Sequence, residues 1–327
     1  MNFAYKYLIA GLSMTAFVSQ AQQRPHYSQY MMNQYLLNPA VGGTSDHYDF
    51  RLGHRSQWYG IKNPTTGDNI APQTSYLSGH AHLGRHIGPN ARRHKNESDW
   101  HHGFGGLVIH DVTGPTSRTS AYGSYSYNTK ISKKLTISVG AAIGFQQYKL
   151  DGSKLILSDQ STGALGTSVD WAPDMNLGYW LYHEKYYFGA SINQIFQNKL
   201  KFTGISENGT NKLNNHYFVT AGYNFGHNTD LHFIPSILVK FVSPAPVTFD
   251  VNLKVRYKNM VWGGLSFRRE DAVVILAGVT INHLIDVGYS YDYGFSALSK
   301  LSNGSHEVML GLRLKPAAEL RSPSDFW

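Results

Sequence analysis

The side chains best able to do chemistry in this chain are its histidines, which number 16 in 327 residues. His80 and His82 would share one face of a strand, and His101 and His102 are neighbours in the sequence. A structural or catalytic transition-metal site needs three or four such ligands, or thiolates, brought together. The chain has no Cys, no HExxH motif and no group of carboxylates near these histidines. The sequence therefore predicts neither a metal site nor a cofactor.

Nucleophilic catalysis would need a base that orients a nucleophile, and such a set can assemble from distant strands. No local motif nominates one. His110 and Asp111 are adjacent, so on a strand they would point to opposite faces, and the chain has no GxSxG motif. We therefore predict that the protein is not an enzyme and has no catalytic residues.

A third group of polar side chains lies in the segment 283–293, where Asp286, Ser290 and Asp292 alternate with a ladder of tyrosines. Aromatic ladders of this kind are typical of the lipid interface of membrane β-barrels. We interpret the acidic face as facing a lumen, where cations such as Lys254 and Arg256 would pair with it.

The N-terminus has the features of a secretory signal peptide. Lys6 supplies positive charge, Leu8 to Val18 form a short apolar stretch, and Ser19-Gln20-Ala21 ends it with small residues. The stretch is too short for an ordinary membrane-spanning helix. We expect cleavage after about Ala21.

The composition is unusual for a soluble enzyme, with 22 Tyr, 16 Phe, 6 Trp and 32 Gly but only 15% charged residues. Many aromatic residues and glycines with little charge are typical of a β-rich membrane wall. The formal charge is +8 and is spread along the chain. One dense basic cluster, 92–95, lies in a polar connection, so we predict no nucleic-acid partner.

Alternation with a period of two dominates the middle of the chain and is clearest in Thr248 to Tyr257. Its oily face holds Phe249, Val251, Leu253, Val255 and Tyr257, and its polar face holds Thr248, Asp250, Asn252, Lys254 and Arg256. Segments of about ten alternating residues separated by turns indicate a transmembrane barrel with lipid outside and a polar lumen inside. We therefore predict an all-β fold, a transmembrane antiparallel β-barrel of about 14 strands.

The predicted strands are 48–58, 73–83, 103–112, 118–130, 134–147, 173–183, 185–194, 216–225, 231–242, 248–258, 260–268, 272–281, 283–293 and 305–314. Bacterial barrels have short periplasmic turns and longer external loops. Every second connection is tight, as at Glu184, Asn259 and Asn282, except 84–102. If the tight connections are the periplasmic turns, both ends of the barrel chain lie on the periplasmic side. We therefore predict a periplasmic N-terminal segment at 22–47, the barrel at 48–314 and a periplasmic C-terminal tail at 315–327.

Five stretches, in order, resemble the motifs of the PorP/SprF family of the type IX secretion system. They are RPHYSQYMMNQYLLNPAVGG from Arg24, HRSQWYGI from His54, HDVTGPTSRTSAYGSYSY from His110, YKLDGSKL from Tyr148 and GYSYDYGFSALSKLSNGSHEVMLGLRL from Gly288. The motif positions carried onto this chain are Gln29, Tyr30, Asn38, Pro39, Ala40, Gln57, Trp58, Gly304, Ser305, His306 and Glu307. We expect these residues to shape or plug the barrel.

The resemblance implies a non-enzymatic component of the outer membrane, surrounded by its lipid, that assists secretion or surface anchoring of substrates such as gliding adhesins. Its implied partners are periplasmic and outer-membrane components of type IX secretion and a secreted adhesin. The alternative is a porin-like outer-membrane channel, since fourteen strands could leave a lumen unless side chains or the N-terminal segment fill it. The tail ends in Phe326 and Trp327, which could serve assembly or dock a periplasmic partner as aromatic anchors.

Overall fold

The computed structural model describes residues 24–45, 47–63, 67–83, 100–154, 166–200, 212–226, 229–295 and 301–314. It confirms the all-β prediction: fourteen antiparallel strands form one closed barrel. The strands are β1 (Tyr48–Ser56), β2 (Gln73–Leu83), β3 (Trp100–Thr113), β4 (Thr116–Lys130), β5 (Leu135–Asp151), β6 (Thr167–His183), β7 (Tyr186–Asn193), β8 (His216–Tyr223), β9 (Leu231–Val242), β10 (Thr248–Tyr257), β11 (Val261–Arg268), β12 (Ala272–Ile281), β13 (Ile285–Gly294) and β14 (Ser305–Leu314).

Each strand pairs with its sequence neighbours, and β1 closes the ring on β14 in a register that places Arg55 opposite Glu307. Because the ring is closed, no described strand has an edge of unpaired backbone groups, which the hydrocarbon core of a membrane would not tolerate. In the part of the chain that the structure describes, no helix is long and apolar enough to cross a membrane.

Alternating side chains face lipid and lumen as the sequence pattern predicts. On β10, Val251 and Leu253 are 46% and 42% exposed, whereas Asn252 and Lys254 are each 2% exposed. The outer surface is therefore apolar and the lumen polar, as in membrane barrels generally.

The two ends of the barrel differ in their connections. At the turn end, strands are joined by residues 131–134, 184–185, 224–230, 258–260 and 282–284. Lys258 and Asn259 both have positive φ, as do Asn282 and His283, which is the geometry of tight hairpin turns. At the loop end, the connections include 57–72, 152–166, 194–215 and 295–304. Residues 84–99, which would break this parity, lie outside the described residues.

Pro235 lies inside β9 but does not interrupt the sheet. Pairing with β8 ends at Ser236, opposite Gly222, and Pro235 continues in register only with Leu253 of β10. Pairing on the β8 side resumes at the bridge between Phe225 and Phe233, so Pro235 lies in a local interruption of that ladder, where a residue with no N–H to donate is tolerated.

The lumen is filled by the N-terminal segment. Residues 27–45 are buried, and two of the three short 3-10 helices of the described chain, η1 (Gln34–Leu36) and η2 (Pro39–Val41), lie among them, whereas η3 (Gly152–Lys154) follows β5. The expectation that this segment extends into the periplasm is therefore wrong for its described part, which is folded inside the barrel. The physical reason is that its tyrosines, methionines and amides bury both apolar surface and hydrogen-bonding groups against a wall that is polar on its inner face.

The lipid-facing assignment predicts a depth-dependent cost for a charge on β10. We expect Leu253→Arg, near the middle of the strand, to lower the stability of the inserted barrel by about 2 to 4 kcal/mol, whereas Tyr257→Arg, at the turn end of the same face, should cost about 0 to 1 kcal/mol. Heat-modifiable gel migration and yield in the outer-membrane fraction measure the difference. Equal tolerance of both changes would show that this face does not contact lipid.

Candidate functional site: a plugged lumen

The central feature of the lumen is the plug, defined here as residues 24–45. Its buried apolar side chains form one cluster with those of the wall and include Tyr30, Met32, Leu36 and Ala40, each no more than 2% exposed. Fourteen-stranded walls enclose more space than their own side chains fill. The plug therefore supplies the core that the wall lacks.

The plug runs through the lumen from one end to the other. Ser28 contacts Asp292 and Glu307, which lie near the loop-end termini of β13 and β14. Gly43 contacts His80 of β2 and His101 of β3, near the turn-end termini of those strands. The chain thus descends from the loop end to the turn end before it enters β1.

A short turn in the middle of the plug is built by the Asn38-Pro39 pair. Asn38 is the N-cap of η2, and its Oδ1 accepts a hydrogen bond from Ala40 N at 3.0 Å. Its Nδ2 donates to the backbone carbonyls of Tyr179 (3.0 Å) and Ala190 (3.2 Å) on the wall. Asparagine suits such a cap because a short side chain can satisfy backbone groups, and Pro39 suits the first position of the turn.

At the loop end, four side chains form a cluster that we call the lock: Ser28, Arg55, Asp292 and Glu307. Arg55 Nη2 lies 2.7 Å from Asp292 Oδ2, and its Nη1 lies 2.8 Å from Ser28 Oγ and 3.4 Å from Glu307 Oε2. Ser28 Oγ donates to Asp292, and Ser28 N donates to Glu307 Oε2 at 2.7 Å. Arg55 is on β1 and Glu307 is on β14, so the lock joins the plug to the first and last strands.

The lock continues into further buried charges on β10, β11 and the connection after β11. Arg268 lies 3.4 Å from Asp292, 3.0 Å from Asp271 and 3.6 Å from Asp250, and Lys240 pairs with Asp250 at 2.8 Å. Charges buried this deeply persist only when they are paired and hydrogen-bonded.

Close to these charges, His26 of the plug lies 3.9 Å from Asp271. Burial, together with the nearby cations Lys240 and Arg268, lowers the pKa of His26 to about 4, although the negative charge of Asp271 opposes the shift. The imidazole is therefore neutral at pH 7 and adds no further positive charge beside the arginines.

A second ionic group lies nearer the turn end. Asp286 Oδ2 forms an ion pair with Arg313 Nη2 at 2.6 Å and lies 3.8 Å from Arg51, which pairs with Asp49 at 2.7 Å. The sequence analysis predicted that Lys254 and Arg256 would pair with this acidic face. The structure gives Asp286 and Asp292 arginine partners on β1, β11 and β14, while Lys254 Nζ lies 3.6 Å from Met32 Sδ of the plug.

The family-motif residues come together from three separate parts of the chain. Gln29 Nε2 donates to the carbonyl of Glu307 at 2.9 Å, and Trp58 N donates to Ser305 Oγ at 3.0 Å. Gly304 has φ +83° and Trp58 has φ 51°, so both residues lie in the left-handed region. A small polar cavity of about 10 Å³ adjoins the lock, on the scale of one water molecule. It is lined by Arg55, Gln57, Trp58, Asp271, Ala272, Asp292, Gly294, Gly304 and Ser305.

The remaining predicted residues fall outside the lock or outside the described chain. Tyr30 OH accepts from Asn252 on β10. His306 is on the outer face of β14, where its Nδ1 lies 2.7 Å from the hydroxyl of Tyr289. Phe326 and Trp327 are outside the described residues. Among residues the structure describes, no three His, Asp or Glu side chains are grouped to hold a metal ion.

Sequence reasoning missed Arg55 and Arg268 as partners of the acidic face. Arg55 does stand two residues before Gln57 in the HRSQWYGI stretch, and it would face inward by alternation. The signal that could have found it is an arginine on the inner face of a lipid-spanning strand, since such a charge needs a buried partner.

Fold and site together define a membrane β-barrel whose lumen is closed by its own N-terminal segment. A family model described as "Type IX secretion system membrane protein PorP/SprF" matches residues 19–312. The chain belongs to this family and is a type IX secretion membrane component with a barrel of the outer-membrane type. No curated protein matches the chain.

Solved barrels resemble the chain only distantly. The Ralstonia pickettii toluene transporter TbuX is 10% identical with a TM-score of 0.49, over 88% of this chain and 94% of that one. The CymD monoaromatic hydrocarbon channel is 13% identical with a TM-score of 0.49, over 88% and 92%. A Pseudomonas aeruginosa FadL homologue is 9% identical with a TM-score of 0.46, over 89% and 95%.

Proposed function

We propose that this protein is a non-enzymatic, plugged scaffold of the outer membrane that assists type IX secretion or surface anchoring of substrates such as gliding adhesins. It reaches that membrane after removal of residues up to about Ala21. In this role the barrel holds periplasmic secretion components in place and does not conduct small solutes.

The observation that carries the proposal is the locked plug. Ser28 is 1% exposed and contacts Arg55, Asp292 and Glu307, which are 0 to 2% exposed. A channel for small solutes needs a continuous water-filled path between its mouths. The plug occupies that path from the loop end to the turn end, which favours a scaffold over the porin-like alternative.

The family-motif residues have a structural role under this proposal. Gln29, Asn38 and Ala40 seat the plug on the wall, and Glu307 accepts hydrogen bonds from the plug backbone. Gln57, Trp58, Gly304 and Ser305 shape the loop-end mouth around the lock.

Two measurements test the scaffold role. Purified wild-type barrels should show no steady conductance in planar bilayers, and stepwise openings would favour the porin-like channel.

Deletion of the gene followed by proteomics of the culture medium should show loss of one secreted adhesin or a few such substrates. An unchanged set of secreted proteins would contradict a secretion role.

The C-terminal tail is expected to bind a periplasmic partner through its terminal aromatic residues. Removal of 322–327, which includes Phe326 and Trp327, should leave the barrel inserted and heat-modifiable but reduce co-purification of periplasmic type IX components, because exposed aromatic side chains often act as anchors in partner pockets. The double substitution of Phe326 and Trp327 by Ala tests the side chains alone. Degradation of the truncated chain would indicate an assembly role, and retention of every partner would contradict docking.

A further inference from the structure

The wall holds the middle of the plug and its turn-end part through different sets of hydrogen bonds. In residues 33–35, plug side chains contact wall side chains: Asn33 Nδ2 donates to Ser78 Oγ, Gln34 Nε2 to Tyr187 OH, and Tyr35 OH lies 2.5 Å from Ser124 Oγ. Between Leu37 and Gly42, wall side chains also contact the plug's main chain, beside the contacts that the Asn38 side chain makes with the wall.

These main-chain contacts follow one another along β4, β5 and β7. Ser191 Oγ and Asn193 Nδ2 donate to the carbonyl of Leu37, at 2.7 and 3.3 Å. Ser138 Oγ donates to the carbonyl of Ala40 at 2.7 Å, and Ser126 Oγ donates to that of Gly42.

The same part of the wall is flattened by glycines, which bring its backbone against that of the plug. A Cβ on Gly140 would lie 2.6 Å from Ala40 N. A Cβ on Gly103 would overlap the carbonyl of Gly42, and one on Gly43 would overlap Gly103 Cα. Where the plug crosses this part of the wall, the two segments therefore contact each other mainly through backbone atoms.

Inner side chains in this region are small or neutral, in contrast to the charged lock. Ser126, Ser138, Asn176, Ser191 and Asn193 are all buried. Hydrogen bonds to main-chain carbonyls can supply affinity for a bound polypeptide, and the room for small residues here selects a backbone that turns as η2 does.

We propose that this surface, formed by Gly103, Ser126, Ser138, Gly140 and Ser191, is a main-chain-reading track that binds a polypeptide turning as residues 37–43 of the plug do, with small residues opposite Gly103 and Gly140. The plug is its occupant within the same chain. When the plug leaves, the track takes a polypeptide segment of another protein. The inference rests on the plugged scaffold proposed above and adds a ligand class to its lumen.

The experiment uses a full-length variant in which the plug is displaced while the wall is unchanged. Ser28→Asp places a third carboxylate beside Asp292 and Glu307, and Gly43→Leu cannot fit against Gly103. The probe is a biotinylated synthetic peptide with the sequence of residues 36–45. We expect saturable binding to the double variant in detergent, and little binding to the wild-type barrel, whose own plug competes.

Two controls identify the track as the binding surface. Adding Ser126→Ala and Ser138→Ala should weaken peptide binding by about tenfold, the effect of two lost hydrogen bonds. A peptide with Leu at the positions of Gly42 and Gly43 should not bind, whereas a peptide with altered residues at Leu36 and Val41 should still bind.

The outcomes separate the two proposals. If the double variant conducts but binds no peptide, or if the serine changes leave binding unaltered, the track is wrong and the plugged scaffold stands. If the double variant stays closed, the plug arrangement itself is contradicted, and the track with it. If the double variant fails to insert, excess peptide on wild-type barrels must expose the tyrosines of the native plug to chymotrypsin, and failure to do so overturns the track.

Discussion

Gly178→Val should convert the closed barrel into a conducting one. A Cβ at Gly178 would overlap Asn38 Oδ1 and lie 3.0 Å from Ala40 N. The valine therefore displaces the side chain that caps η2 and donates to the carbonyls of Tyr179 and Ala190. Because a valine at this position can keep the backbone pairing of Gly178 with Gly140 and Ser191, we expect the wall to insert normally while the plug loses its central contact.

Planar-bilayer recording and protease treatment measure this effect. The variant should show discrete openings where the wild-type shows none, and chymotrypsin should cleave after plug tyrosines such as Tyr30 and Tyr35 in folded barrels. Gly123→Val is the matched control, since it makes the same change on the outer face of β4, where a Cβ would meet nothing within 4 Å. If Gly178→Val inserts and remains closed, the close approach of Asn38 to this wall is contradicted.

Arg55→Leu should strongly destabilise the lock. The arginine is 2% exposed and neutralises Asp292 and Glu307, at 2.7 and 3.4 Å. Removing one member of a buried ionic group leaves the others uncompensated, at a cost of about 3 to 5 kcal/mol. We expect the plug to be released at a lower temperature or denaturant concentration than in the wild-type, measured by chymotrypsin cleavage after the plug tyrosines in folded barrels.

Two further variants separate the charge effect from loss of packing. Glu307→Gln in the Arg55→Leu background should recover part of the loss, because one uncompensated charge is removed, and a double-mutant cycle measures the coupling. Lys134→Leu removes a cation from an exposed pair with Glu184 at 3.0 Å, which should contribute about 0 to 1 kcal/mol. Similar losses in Arg55→Leu and Lys134→Leu would show that burial of the lock does not matter.

The barrel wall was predictable from the sequence because the direction of each strand side chain depends only on its position relative to its neighbours in the chain. Lipid on one face and a polar lumen on the other impose a period of two on every strand, so both the faces of β10 and turns such as Asn259 and Asn282 follow from neighbouring residues. Both turns have the positive φ values that tight hairpins require.

The plug was harder to place because no periodic pattern marks it. Its residues are buried on all sides by different strands, so Tyr30, Asn38 and Gly43 contact β10, β6 and β7, and β2 and β3 respectively. Such contacts depend on which strands lie across the lumen.

Pairing across the lumen has the same origin. The stagger of the strands decides which inner side chains meet, so Asp292 contacts Arg55 on β1 and Arg268 on β11. The sequence analysis predicted Lys254 and Arg256 on β10 as the partners of the acidic face. Alternation shows which side chains face the lumen, but it does not show how the strands are staggered against one another.

The position of the lock across the seam between β1 and β14 constrains the order of events during biogenesis. The plug is the first of these parts to emerge from synthesis and β14, which carries Glu307, is the last. Arg55 and Glu307 become neighbours only when the ring closes, so the lock cannot form on a partly assembled sheet. The plug is therefore locked only after the ring has closed, and a locked plug shows that the seam was completed.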